Sequence, residues 1–342
     1  MNSNAEVLKR LMLNPKYTKK KVRLFDGRIL SYSECGNLES GMPVLFCFGL
    51  MTSSLAIMFA HHRALRNNLR IIAIDYPGIG ESTIQPDRAL ESWADDVSEF
   101  LDKLNIERVR LLGHSLGGLH ALALLSNRSF ERRVIRTVLL CPWFYIDGES
   151  FNPPWMKFTH TLPEVVQSSV IPFVLTYVSS RTVNLLTWSN PEQTQFQATK
   201  LVMDYAHLQG QAGNEQMVRF ALSKYDTYLP VENGIDSPIL IFHGTDDALV
   251  SECRSLELVR LLRERKCDVS YTAITGGDHN SILSKTDNLI KVMASLVGDA
   301  DTWILEIMKS LDVSKIHSME KIHTGNKTDV SVQQKVNLCD RR

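Results

Sequence analysis

The fold of this chain is decided by the stretch Val109-Arg110-Leu111-Leu112-Gly113-His114-Ser115-Leu116-Gly117, in which a short apolar run leads into Gly-x-Ser-x-Gly. The segment that follows, Leu119 to Leu125, is rich in leucine and alanine and favours a helix. A serine in such a strand-to-helix turn is held in a strained backbone conformation, and the flanking glycines leave room for neighbouring backbone. We therefore predict a sharp turn that exposes Ser115 as a nucleophile, rather than a glycine-rich turn around a buried serine.

The composition is that of one large globular domain. The chain has 342 residues, of which 44% are hydrophobic and 22% are charged, which is enough for a single core with a sizeable insertion. Lysine plus arginine and aspartate plus glutamate both number 38, so there is no excess of basic charge to bind nucleic acid or an acidic membrane surface. We expect a small-molecule partner and no nucleic acid.

The opening segment does not have the pattern of a signal peptide, because Lys9 and Arg10 interrupt its apolar residues. No apolar run reaches the length of a membrane span, so none is expected. The six cysteines lack metal-type spacing and several lie in apolar runs, which favours a reducing compartment and the cytoplasm. Ser314-Lys315-Ile316 is similar to a peroxisomal address, which makes the peroxisome the alternative, although this tripeptide is internal.

Short apolar runs recur along the chain and predict a sheet. The runs at 21–24 and 29–32 flank Asp26-Gly27, which is a signal for an antiparallel hairpin. A continuously apolar run, typical of a strand buried on both faces, occurs at 43–48, and further mostly apolar runs that predict strands occur at 71–75, 109–112, 137–140, 238–242 and 269–274. Helical patterns lie between them, the clearest from Leu90 to Leu104. This alternation predicts an α/β fold with a doubly wound, mostly parallel sheet.

The interval from Pro142 to Pro230 interrupts the alternation. It is longer than a connection between a strand and a helix should be, and it holds about half of the aromatic residues of the chain. We predict a helical cap over 142–230, inserted after the sixth strand, with most aromatic side chains packing its own core and a minority lining an apolar cavity. The remaining predicted units are an N-terminal extension over 1–20, a core over 21–141 and 231–298, and a C-terminal helix with a disordered tail over 299–342.

A serine hydroxyl needs a base to accept its proton and a carboxylate to orient that base. Two buried strands are followed by suitable groups, Asp246-Asp247 after one and Asp278-His279 after the next. Because the carboxyl ends of parallel strands meet at one edge of a sheet, we expect these groups beside Ser115. His279 is the predicted base. Either Asp246 or Asp247 can supply the carboxylate, and Asp278 ranks lower because adjacent side chains rarely align in this way.

With these motifs the chain resembles the cap-bearing serine branch of the α/β-hydrolase superfamily, over about 22–297. The motifs that carry the resemblance are Gly113 to Gly117, Asp75-Tyr76-Pro77-Gly78-Ile79-Gly80-Glu81-Ser82, Gly244-x-x-Asp247-x-x-Val250 and Gly277-Asp278-His279. The resemblance selects Asp247 over Asp246 as the triad acid. It also implies that the backbone N–H groups of Leu50 and Leu116 form the oxyanion hole.

The chain departs from the family pattern in the predicted oxyanion loop. Phe48-Gly49 stands where the family usually has His-Gly, so a histidine that commonly braces the loop is absent. Backbone donors do not depend on side-chain identity, and the prediction of Leu50 and Leu116 is therefore kept. The chain as a whole is loosely similar to α/β-hydrolases of filamentous-fungal secondary metabolism and toxin gene clusters.

These features predict a serine hydrolase that cleaves a medium-sized hydrophobic ester or thioester through an acyl-enzyme on Ser115. A small-molecule receptor on the same fold is the alternative from another class, since fold does not imply function. Acyl transfer or carbon–carbon bond hydrolysis by the same serine is a third reading. No cofactor and no metal are expected, because the adjacent His61 and His62 point in different directions, and His120 and His243 are interpreted as structural.

Overall fold

The computed structural model describes residues 3–86, 88–144, 166, 194–222 and 234–279. The larger part of the predicted cap, 145–193 except Val166 together with 223–233, lies outside the described residues. The same holds for residues 280–298 of the predicted core and for the C-terminal helix and tail predicted over 299–342.

One eight-stranded sheet forms the centre of the molecule, in the order β1-β2-β4-β3-β5-β6-β7-β8. Its strands are β1 Lys20–Arg23, β2 Ile29–Gly36, β3 Met42–Cys47, β4 Leu69–Ile74, β5 Val109–His114, β6 Val134–Leu140, β7 Ile239–Gly244 and β8 Val269–Ile274. β2 is antiparallel to β1 and to β4, and every other neighbouring pair is parallel. The predicted doubly wound, mostly parallel sheet is confirmed, as is the hairpin around Asp26-Gly27.

One described α-helix precedes β1, and the others lie between strands along the chain. The described α-helices are α1 Ser3–Leu13, α2 His61–Arg66, α3 Trp93–Lys103, α4 Gly117–Ser126, α5 Arg128–Glu131, α6 Thr194–Ala206, α7 Ala212–Leu222 and α8 Glu252–Glu264, and a 3₁₀ helix spans Ser54–Ala60. None of these helices has the combination of length and apolar character that crossing a lipid bilayer requires.

The helix α1 was not predicted from the sequence. Its apolar side chains Leu8 and Leu11 pack against the core and Met12 is fully buried, while Lys9 and Arg10 are exposed. The two basic residues that argue against a signal peptide therefore form the polar face of an amphipathic helix.

Helix α4 directly follows Ser115 and is surrounded by protein. Every residue from Gly117 to Leu125 is buried, which explains why this helix has almost no polar residues. A Cβ at Gly117 would lie 2.0 Å from the Cys47 carbonyl oxygen, so only glycine allows α4 to approach the end of β3 this closely. The elbow glycine thus fixes the distance between the serine turn and the loop after β3.

The two described helices of the predicted cap interval, α6 and α7, lie between β6 and β7 along the chain. They contact the turn that follows β4. Gln209 Nε2 donates to the carbonyl oxygens of Gly80 at 2.9 Å and Ser82 at 2.7 Å, and a Cβ on Gly213 would lie 2.6 Å from the Gly78 carbonyl oxygen. This part of the interval is therefore helical and is joined to the core through backbone contacts.

Four cysteines are free and buried, at 35, 47, 141 and 267. They behave as the small hydrophobes that the sequence predicts. Cys253 instead takes part in a disulfide, so the prediction of reduced cysteines is wrong at this position.

Candidate active site

Ser115 occupies the strained turn predicted between β5 and α4. Its φ is +55°, in the left-handed region that side-chain-bearing residues rarely adopt. Neighbouring backbone holds it there, since the Ser115 N–H donates to the Leu140 carbonyl at 3.0 Å and its own carbonyl accepts from Gly118 N at 2.9 Å and Trp143 N at 2.8 Å. The side chain is consequently presented at the carboxyl edge of the sheet and not within the core.

His279 and Asp247 are in direct contact at the same edge. His279 Nδ1 lies 2.7 Å from Asp247 Oδ2, and Asp247 Oδ1 accepts from the N–H groups of Leu249 at 2.9 Å and Val250 at 2.8 Å. A carboxylate can only accept, so Nδ1 carries the proton. In a neutral imidazole this leaves Nε2 unprotonated, which is the form that a general base needs.

The Asp247 side chain is fully buried. Burial raises its pKa, but the hydrogen bonds from His279 and from the Val250 backbone outweigh burial, and the pKa of Asp247 lies below its usual range. Asp247 is therefore ionised at neutral pH. The neighbouring Asp246 is exposed and accepts from Thr245 Oγ1 at 3.0 Å, so Asp247 is the carboxylate that reaches His279 Nδ1.

His243 supports the loop that carries Asp247. Its Nε2 lies 2.9 Å from the Val250 carbonyl and its Nδ1 lies 2.7 Å from Ser255 Oγ. Burial lowers its pKa, so the ring is neutral, with Nε2–H donating to the carbonyl and Nδ1 accepting from the hydroxyl. This arrangement fits the structural role predicted for His243.

His114 connects the serine turn to the base, and the sequence analysis did not single it out. Its Nε2 lies 3.0 Å from the carbonyl oxygen of His279, and the two rings are 4.9 Å apart. Burial lowers the pKa of His114 to about 4, so it is a neutral donor to that carbonyl. Within the described residues, Ser115 Oγ and His279 Nε2 are not hydrogen-bonded to each other; such catalytic contacts often tighten only when substrate binds.

The loop after β3 lies against Ser115, as predicted. A Cβ on Gly49 would be 3.0 Å from the Ser115 Cβ and 3.4 Å from its Oγ. Among the described residues, the N–H groups of Leu50 and Leu116 donate to no other backbone group, which leaves both donors available to a ligand. We call residues 48–54 the oxyanion loop.

The fold agrees with the matches of this chain to known proteins. A protein-family model described as the alpha/beta hydrolase fold matches residues 42–286. The chain belongs to the α/β-hydrolase family. It is 26% identical over 225 residues to an Agrobacterium fabrum protein assigned as the carbamate hydrolase RutD, which covers 65% of this chain and 82% of that protein.

Solved structures of similar fold come from other members of this family. A protein assigned as a lipase from Acinetobacter baumannii matches with a TM-score of 0.59 and 20% identity, covering 91% of this chain and 98% of that one. An esterase from Exiguobacterium antarcticum gives a TM-score of 0.59 and 20% identity, covering 80% and 97%. At this identity the likeness shows the fold, and together with the family match it identifies a hydrolase of the α/β-hydrolase family.

In this α/β-hydrolase the oxyanion loop also contacts helix α6. Ser53 is fully buried, and its Oγ donates to the carbonyl oxygen of Val202 at 2.7 Å. The acceptor is a main-chain carbonyl 149 residues away, so no sequence motif predicts this hydrogen bond. The contact ties the loop that adjoins Ser115 to the interval predicted as the cap.

One group of side chains beside the His279–Asp247 contact has the residue types that ligate metals. Within the described part of the chain, Cys141, His243 and Asp247 form one group whose potential ligand atoms lie within 4.8 Å of one another. Both ring nitrogens of His243 already bind protein atoms, and Asp247 Oδ2 binds His279. A metal ion would have to break the contact that orients the base, so this group is better explained as part of the triad's support.

The remaining histidines of interest have protein partners. His120 is fully buried, stacks on Tyr76 at a ring distance of 4.0 Å, and places Nδ1 3.3 Å from the Leu116 carbonyl. His61 Nδ1 accepts from Gly36 N at 3.3 Å. These contacts fit the structural interpretation of both side chains.

Proposed function

We propose that this α/β-hydrolase is a serine esterase that cleaves a medium-sized hydrophobic ester or thioester through an acyl-enzyme on Ser115. The observation that carries the proposal is the 2.7 Å contact between His279 Nδ1 and Asp247, made at the sheet edge where Ser115 sits in a strained turn. A nucleophile, a correctly protonated base and a buried ionised carboxylate are the parts that acyl transfer needs.

In the proposed reaction, Ser115 Oγ attacks the acyl carbonyl while His279 Nε2 accepts its proton. The N–H groups of Leu50 and Leu116 bind the oxyanion of the tetrahedral intermediate, where preorganised donors have their largest effect. The intermediate collapses as His279 returns the proton to the departing alcohol or thiol. Water then attacks the acyl-enzyme with His279 again as base, and the released acid regenerates Ser115.

The substrate class is inferred from charge and from relatives. The chain has equal numbers of acidic and basic residues, and the aromatic content of 142–230 favours an apolar acyl group. The named esterase and lipase neighbours support ester chemistry. The relative assigned as a carbamate hydrolase makes a carbamate the second candidate substrate. The cytoplasmic location and the role in fungal secondary metabolism stay predictions from the sequence.

The nucleophile can be tested with a fluorophosphonate probe, which reacts with an activated serine. We expect wild type and the control Ser129→Ala, an exposed serine, to be labelled, and Ser115→Ala to lose labelling and at least about 10³-fold in activity. Thermal unfolding should show that both variants are folded. Labelling that persists in Ser115→Ala would refute the assignment.

The substrate class can be tested with p-nitrophenyl esters of increasing acyl length, with an acyl thioester and an aryl carbamate as comparisons. Each added methylene should stabilise the transition state by about 1 kcal/mol, and so raise kcat/KM, until the site is full. A rate that is highest for acetate and falls steadily would contradict an apolar acyl site. Ligand binding under the cap without turnover of any acyl compound would favour the receptor reading, and acyl transfer to an added alcohol would favour the transferase reading.

A further inference from the structure

Two consecutive residues after β4, Asp75 and Tyr76, hold opposite ends of the oxyanion loop. Tyr76 Oη donates to the carbonyl oxygen of Phe48 at 3.1 Å. At the other end, the Ser54 N–H donates to Asp75 Oδ1 at 2.7 Å and Ser54 Oγ donates to Oδ2 at 2.9 Å. Leu50, the proposed oxyanion donor, lies between these two attachment points.

Both anchors are themselves fixed in the core. Tyr76 is 1% exposed and its ring packs between Phe48, at 4.5 Å, and His120, at 4.0 Å. Asp75 is fully buried, and Ser31 Oγ donates to its Oδ2 at 2.7 Å. Leaving a buried donor or acceptor without a partner is costly, so these contacts restrain the loop and do not merely accompany it.

Restraint of the oxyanion loop matters because the loop has little room to move beside Ser115. The Gly49 backbone is so close to the serine that an added Cβ would touch it. An oxyanion donor acts only when it lies about 2.7–3.1 Å from the developing charge, and a displacement of about 1 Å at a reacting centre can cost 10²-fold in rate. Whatever sets the main-chain path from Phe48 to Ser54 therefore sets the strength of the oxyanion hole.

We propose that Asp75 and Tyr76 are positioning residues for the oxyanion hole, acting through the main chain of Phe48 and Ser54. The proposal rests on the proposed function of Ser115. It also accounts for the phenylalanine that stands at the start of the loop, because the bracing that a histidine side chain commonly supplies comes here from the Tyr76 hydroxyl bound to a main-chain carbonyl. Neither anchor is required to touch the substrate.

The sharpest test is Tyr76→Phe, which removes one oxygen and keeps the stacked ring. Tyr271→Phe is the matched control. Tyr271 is also buried, and this substitution also removes one hydrogen bond, which Tyr271 Oη donates to Glu252 at 2.6 Å. Tyr271 lies on β8, however, far along the sheet from the oxyanion loop. Each variant is assayed for kcat, KM, thermal unfolding and inhibition by an alkyl trifluoromethyl ketone. Ser115 Oγ adds to this ketone, its proton passes to His279, and the adduct oxygen becomes an oxyanion.

Tyr76→Phe should lower kcat about tenfold and weaken trifluoromethyl ketone inhibition by a similar factor, with KM within twofold of wild type. Tyr271→Phe should change none of the three. If Tyr76→Phe leaves kcat and inhibition unchanged, or if both variants lose activity only in proportion to lost stability, the positioning role is overturned.

Substitutions of Asp75 provide a second test, which does not depend on Tyr76→Phe being stable. In Asp75→Asn the amide oxygen can still accept from the Ser54 N–H, while the Ser31 and Ser54 hydroxyls can rotate to accept from the amide group. Asp75→Ala leaves that N–H unpaired. We expect a loss in kcat of tenfold or more for alanine, with asparagine restoring most of it; equal kcat for both folded variants would contradict the proposal. Failure of the proposed function would give a different result from failure of the positioning role, because wild type itself would then neither be labelled at Ser115 nor bind the ketone.

Discussion

Two buried carboxylates flank Ser115, each two strands away from β5 at the carboxyl edge of the sheet. Asp247 follows β7 and Asp75 follows β4. Each accepts at least three hydrogen bonds from protein groups. Their acidities nevertheless differ in direction, because the pKa of Asp247 is lowered, whereas burial raises the pKa of Asp75 to about 6.

The difference lies in the deeper burial of Asp75 and in the kind of hydrogen-bond partner, and not in the number of partners. The donors to Asp75 are neutral hydroxyls and an N–H group, which reduce the effect of burial without overcoming it. One donor to Asp247 is an imidazole that can itself become a cation, and its contact favours the ionised carboxylate. In the proposed mechanism, Asp247 therefore supports proton transfer through a titratable partner, while Asp75 positions the oxyanion loop through partners that do not titrate.

The largest expected difference between the two carboxylates is in kcat, when each is replaced by an amide. Asp247→Asn should lower kcat by about 10⁴-fold, because an amide at this position favours the imidazole tautomer that cannot accept the serine proton. The control Asp246→Asn, on an exposed neighbour, should stay within about twofold of wild type. Steady-state kinetics on the same ester checks both. A larger loss for Asp246→Asn would move the triad acid to that residue.

The second expected effect is on stability as a function of pH, and its sign is opposite at the two carboxylates. The folded pKa of Asp75, about 6, lies above its value of 3.8 in the absence of protein contacts. Its stabilising contribution is therefore present below about pH 4 and is lost as the pH rises through about 6. Relative to wild type, Asp75→Asn should gain about 3 kcal/mol in free energy of unfolding between these limits.

The folded pKa of Asp247 is instead depressed, so its contribution is present above the unfolded pKa and is lost as the pH falls towards the folded value. Relative to wild type, Asp247→Asn should therefore lose stability as the pH rises towards about 4, and the difference should stay constant above that pH. Urea titrations of wild type and both variants at several pH values measure these trends. Parallel curves for the two variants would show that the two carboxylates do not differ as described.

The smallest expected effect concerns His114, which lies between the two regions. His114→Phe keeps a ring beside His279 but removes the donor to the His279 carbonyl. Loss of one hydrogen bond to a buried carbonyl costs about 1 kcal/mol, so we expect kcat to fall about fivefold. His62→Phe, at an exposed histidine, is the control. A decrease as large as that of Asp247→Asn would mean that His114 takes part in the chemistry itself.

The same contrast separates what the sequence could predict from what it could not. In the proposed mechanism Ser115, Asp247 and His279 act through their side chains, and this chemistry requires particular residue types after particular strands. The contact between Asp247 and His279 that the motifs predict is present in the structure. The sheet was equally predictable, because strands buried on both faces need continuous apolar runs.

The supports of the oxyanion loop could not be predicted in this way. Their acceptors and donors include the Phe48 carbonyl, the Ser54 N–H and the Val202 carbonyl. Any residue supplies such a carbonyl, and any residue except proline supplies such an N–H group. Tyr76 lies within a motif that the sequence analysis quoted, yet its role depends on which carbonyl its hydroxyl meets. Helix α1 was not predicted for another reason. Lys9 and Arg10 interrupt an apolar segment, and this pattern argues against a signal peptide but also fits the polar face of an amphipathic helix.

The hydrogen bond from Ser53 to Val202 has a consequence for how such a protein can diversify. The acceptor is a peptide carbonyl on α6, and a peptide carbonyl survives substitution of the side chain at its position. Substitutions can therefore accumulate among the side chains of this helix while its hydrogen bond to the oxyanion loop persists. Homologues with divergent residues along α6 should retain a hydroxyl at position 53, so that the helix surface evolves separately from the loop beside Ser115.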